Sequence, residues 1–179
     1  MKKWIVSASV IISAAGCNRG SAPQPVPKSD LPSPLSAAAL LDSMDTRVPV
    51  PLLPMMANHQ KQNMREHLLA VQEIVGGVGA KDFDAIARAA AKIGYSDQMG
   101  RMCNHMGAGA PGFTEQALRF HHTADKISEA ARGRDMPGVM TALSDTLATC
   151  TGCHSVFKQR IVDETTWASL AGQSPPQHP

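Results

Sequence analysis

Apolar side chains recur every three or four residues over four stretches of the chain, and each such stretch predicts an amphipathic helix. The first covers 52–76, with Leu53, Ala57, Met64, Leu68, Val71 and Val75 on one face, and Gly76, Gly77 and Gly79 stop it. Asp82 can cap a second helix whose stripe is Phe83, Ile86, Ala90 and Ile93; Gly94 ends it, or it runs on towards Met102. Residues 103–112 are glycine-rich and read as a turn, since no strand precedes them as a phosphate-binding loop requires. A third helix covers 113–132, with Phe113, Ala117, Phe120, Ala124, Ile127 and Ala131 inward. The fourth starts near Asp135 and Pro137, a cap and first-turn proline. It carries Met140, Leu143, Leu147, Cys150, His154, Phe157 and Ile161 in a three-four rhythm. The expected fold is therefore all-α, an up-down antiparallel four-helix bundle.

The ends of the chain differ from this core. Residues 1–16 read as an export signal: Lys2 and Lys3 lead a short apolar run, and Ala14, Ala15 and Gly16 precede Cys17. That run is too short to span a bilayer. Ala-Ala-Gly-Cys resembles a bacterial lipobox, which implies lipidation of Cys17, although Ala14 stands where leucine is usual. An ordinary signal-peptidase site is the alternative. Residues 17–51 are rich in Pro, Ser and Ala and read as a tether, with one brief helix over 35–45 capped by Ser36. The folded domain is expected over 52–163 and a tail over 164–179. The setting is then periplasmic, on a membrane-anchored lipoprotein of a Gram-negative bacterium.

Composition adds little beyond support for helices. Aromatic residues make up 4% of the chain, and without Lys2 and Lys3 the basic and acidic residues balance at 15 each. No basic patch points to nucleic acid.

The candidate chemistry lies near the end of the fourth helix. Cys150-Thr151-Gly152-Cys153-His154 has the Cys-x-x-Cys-His spacing of c-type haem attachment. Two thiols at that spacing can bond the two vinyl groups of one porphyrin, and the adjacent histidine can ligate the iron. On a helix Cys150 and His154 lie one turn apart on one face. A zinc site would need a second ligand pair, and a thioredoxin-like dithiol would need a βαβ pattern; the chain offers neither. His154 falls on the apolar stripe, so the cofactor is expected within or against the helices. Cys103 remains as a single thiol, expected to be buried.

Four helices with short connections and a late Cys-x-x-Cys-His, followed by Phe157 and Lys158, resemble the cytochrome c prime family and its methionine-ligated low-spin relatives. The resemblance covers 52–163. It implies one covalent haem c, electron transfer with a redox partner protein or diatomic-gas binding, a distal residue on the first helix, and in many members a homodimer. Depth and phase along the first helix favour Met64 as second iron ligand beside His154. His121, on the inner side of the third helix, is the rival. Met55 should face away, Met56 and His59 lie off the stripe, and His67 is expected at the surface or the haem edge. His122 is expected in solvent, and His105 and Met102 near a flexible turn. Arg65, Arg101, Arg119 and Lys158 are candidate partners for haem propionates. Methionine–histidine ligation suits an electron carrier; an open distal face, with Met64 only packing, suits a protein that binds nitric oxide or carbon monoxide. No distal acid–base pair suggests a peroxidase, so an enzyme is not expected.

Overall fold

The computed structural model describes residues 36–172. The expected signal segment, Cys17, the first part of the tether and residues 173–179 lie outside the described residues. Helices dominate what is described: α1 (Ala37–Met44), α2 (Pro54–Ala80), α3 (Phe83–Ala91), α4 (Asp97–Gly107), α5 (Phe113–Arg132), α6 (Met136–Val156) and α7 (Glu164–Gly172). Two short strands, β1 (Val48–Leu52) and β2 (Phe157–Ile161), pair in parallel with Val48 opposite Phe157 and Leu52 opposite Ile161.

Local chemistry sets most of these boundaries. Ser36, Asp82, Ser96 and Asp135 each accept a bond from a backbone N–H in the first turn of α1, α3, α4 and α6. Gly112 takes a left-handed conformation, φ 83°, immediately before α5, and Gly109 has the same φ in the preceding turn. The glycine-rich connection is thus confined to 108–112. Residues 97–107 form the separate helix α4, so Met102, Cys103 and His105 sit on regular helix and not on a flexible turn. Ser96 explains the difference: its capping bond starts a new helix shortly after the old one ends at Ala91.

The strands correct two expectations. Residues 48–51, assigned to the tether, form most of β1, whose Val50 and Leu52 are 2% and 0% exposed. Alternate prolines disguised this strand; Pro49 and Pro51 cannot donate, which a strand tolerates only at a sheet edge. In a two-stranded sheet both strands are edges. The fourth helix, expected to run past Ile161, ends at Val156 because Phe157 turns extended to begin β2.

Ala70 and Ile74 of α2, Ile86 and Ala90 of α3, Phe120, Ala124, Ile127 and Ala131 of α5, and Val139, Ala142 and Leu143 of α6 form the main core. A second cluster joins Val50 and Leu52 of β1 to Ala57, Met106, Ala110 and Phe113. Two predicted faces are rotated relative to the observed core. On α2, Leu68 and Val75 are 69% and 53% exposed, and the buried line runs through Ala57, Gln60, Ala70, Ile74 and Gly77. On α6, Met140 and Leu147 point outward while Thr146 and Thr149 are buried. Those threonines can face inward because their hydroxyls donate to the carbonyls of Ala142 and Thr146, at 2.8 and 2.6 Å. The same rotation leaves His154 exposed, not on the buried stripe. Ile74→Ala should therefore cost about 2–5 kcal/mol in denaturant unfolding, whereas Leu68→Ala should stay within about 0.5 kcal/mol. Equal costs would contradict the observed helix face.

Candidate functional site

The last turns of α6 present Cys150, Cys153 and His154 between the two core clusters. Cys150 packs against the main core and Cys153 against the second one. Both thiols are free and half-buried. Burial pushes both thiol pKa values up, and for Cys153 the neighbouring Cys150 adds to the rise. Arg47 fixes the end of the helix: its Nη1 donates to the His154 carbonyl at 2.9 Å, while Asp45 holds its Nε and Nη2 at 2.9 and 2.7 Å. Arg47 in turn keeps the Asp45 carboxyl at about 2, well below the usual carboxylate range.

Two adjoining clefts open at these residues, and Gln60, Met64, Phe113, Cys153 and His154 line both. The outer cleft, about 510 Å³, is within the range that holds a cofactor-sized ligand. Its rim carries Arg47, Lys61, Arg65 and Lys158 with Asp42 and Asp45. Lys158 Nζ is committed to Asp42 Oδ1 at 2.8 Å and to the Asp45 carbonyl at 2.8 Å. Lys61 and Arg65 make no ion pair among the described residues. The inner cleft reaches past Cys150 to Met99, Cys103, Met106, Phe120, His67 and His121, a mostly apolar wall.

Met64 thus shares both clefts with His154, although it is 40% exposed. His121, 3% exposed, lines the inner cleft only. Its Nδ1 must donate to the Ile93 carbonyl at 2.9 Å, which leaves the lone pair on Nε2. His67 stacks on Phe120 at 4.7 Å between ring centroids and meets the edge of His121 at 5.5 Å. Burial, then the proximity of His121, lowers its pKa to about 4, so the ring is neutral near pH 7. Burial likewise lowers the pKa of His121.

Among the other candidates, Arg65 and Lys158 line the outer cleft, whereas Arg101 and Arg119 line neither. Met55 is exposed and faces away. His122 is exposed and stacks on Tyr95; His105 is exposed and touches Trp167. Cys103 is buried, which pushes its thiol to about 11. Sequence reasoning placed His67 at the surface or the haem edge; the residue is half-buried in the inner cleft, and its spacing of three from Met64 puts both on one helix face. It missed Arg47 and Asp45 altogether, because they lie in what read as tether.

The donor set is selective. Among the described residues no group of three or more His, Cys, Asp or Glu side chains is placed to hold a metal ion. An iron here would draw on an imidazole and a thioether, with the thiols free to bond an organic ring. No helix among the described residues is long and apolar enough to cross a membrane. Comparison with known protein families, curated proteins and solved structures finds no match to this chain.

Proposed function

We propose that this chain is an exported monohaem c-type cytochrome that carries single electrons, built as a four-helix bundle of cytochrome c prime type from α2, α3, α5 and α6. One observation carries the reading: two free thiols and an adjacent imidazole in Cys-x-x-Cys-His order border a mostly apolar cleft that a methionine also lines. Cys150 and Cys153 would hold haem through thioethers, His154 would be one axial ligand and Met64 the other. When bound, the group supplies one-electron chemistry at a potential its axial ligands help to set.

The chain's own residues do the rest. Phe113 and Phe157, edge to face at 5.4 Å, wall the cleft beside Cys153 and limit the entry of water. Arg47 anchors the His154 backbone, so the imidazole starts from a fixed point. Lys61 and Arg65 offer positive charge at the outer rim, where propionates would lie. The export signal and a lipidated Cys17 would place the domain in the periplasm at a membrane, in reach of a redox partner protein. Homodimerisation is a further feature of the family that the proposal carries with it.

The reduced protein should show a sharp low-spin absorption spectrum that carbon monoxide leaves unchanged. Immediate formation of a carbon monoxide adduct would reject the carrier in favour of gas binding.

A further inference from the structure

Beside the inner cleft, two helices set soft donor atoms against each other. On α2, Met56, His59 and Asn63 follow at spacings of three and four and share one face. On α4, Met99, Met102 and Met106 repeat that spacing. The two rows meet where His59 Nε2 and Met102 Sδ stand 2.9 Å apart. Asn63 Nδ2 lies 3.4 Å from the same ring nitrogen and 3.8 Å from the same sulfur. Met56 and Met102 are half-buried against the Val50–Phe113 cluster, while His59 is exposed. Met56, His59 and Met102 line neither cleft.

The chemistry of this contact selects its ligand. An amide nitrogen can only donate, so when Asn63 bonds His59 Nε2 the ring proton resides on Nδ1. In that tautomer the Nε2 lone pair accepts from Asn63 with the Met102 sulfur 2.9 Å away; in the other, Nε2–H donates to that sulfur. A cation that displaced that hydrogen would use the nitrogen and the sulfur together. Thioether ligands select soft cations, Cu(I) above all among the common biological metals, and imidazole is compatible with copper. The flexible methionine stem and the exposed ring let the two atoms part to admit an ion. We propose that Met56, His59 and Met102 form a surface site for one Cu(I) ion, independent of the haem reading.

The test is an anaerobic competition for Cu(I) between the full matured chain and a chromogenic copper chelator. The wild-type chain should take up one Cu(I). The double variant His59→Asn, Met102→Leu should lose at least the 10–100-fold, roughly, that even outer-shell changes cost a metal site. Met44→Leu, at a methionine 77% exposed on α1, should change nothing. Copper-edge X-ray absorption should report sulfur together with one imidazole nitrogen. Failure of the wild-type chain to take copper, full affinity in the double variant, or a shell without sulfur would each overturn the site.

Discussion

Replacing Cys150 and Cys153 together by serine is expected to give a folded, colourless chain. Serine keeps the shape of cysteine but cannot form a thioether to a vinyl group, so the covalent link disappears while the helix remains. Cys150 only borders the main core, whose fully buried members include Ile74, Ile86, Ile127 and Val139, and those are untouched. Helix content by circular dichroism should therefore stay near the wild-type value. Haem that survives acid–organic extraction should fall from one per chain to none. The single variants should each retain a weakened one-armed link. Pigment retained by the double variant through extraction would contradict the proposed attachment. Unfolding of the double variant would be separated from loss of pigment by the circular dichroism measured on the same sample.

Met64→Ala should produce the largest change in the properties of the iron itself. Met64 shares both clefts with His154 and is 40% exposed, so trimming it removes a donor and little packing. With the thioether gone the iron should become high-spin, bind carbon monoxide at once, and lose the potential that methionine raises. Axial ligands spread haem potentials over about 0.8 V, so a fall on the order of 0.1 V or more is expected. His121→Asn is the comparison. It removes Nε2 and the ring edge packed on His67 and Phe120, keeps an amide able to donate to the Ile93 carbonyl, and should cost about 0.5–3 kcal/mol of stability, yet leave the spectrum as it was. The reverse pattern, a changed spectrum in His121→Asn and none in Met64→Ala, would make His121 the ligand.

The sequence made most of the helices legible, and blurred what joins them. Helix α5 was readable to its ends because Phe113, Phe120, Ala124, Ile127 and Ala131 alternate cleanly with polar residues. The brief helix after Ser36 was readable from its cap. Helix α2 was found, but its apolar positions outnumber those the core needs. Leu68 and Leu69 both face solvent, so periodicity alone could not choose the buried line. On α6 the inward threonines bond their own helix, and that pairing cannot be seen in a pattern of apolar residues. The strands were hidden for a further reason. Parallel pairing joins segments more than a hundred residues apart, and the prolines of β1 read as linker. Cys150, Cys153 and His154 were singled out by spacing and Met64 by phase; all four line the inner cleft, though Met64 is exposed and off the buried line of α2. Arg47 at the helix end depends on a tertiary contact that no local pattern contains.

The mature wild-type protein offers the most direct measurement: intact mass under denaturing conditions after treatment with a thiol-alkylating reagent. The account predicts a coloured chain heavier by one haem, with neither Cys150 nor Cys153 alkylated. A colourless chain of unmodified mass in which both sulfurs take the reagent would contradict it.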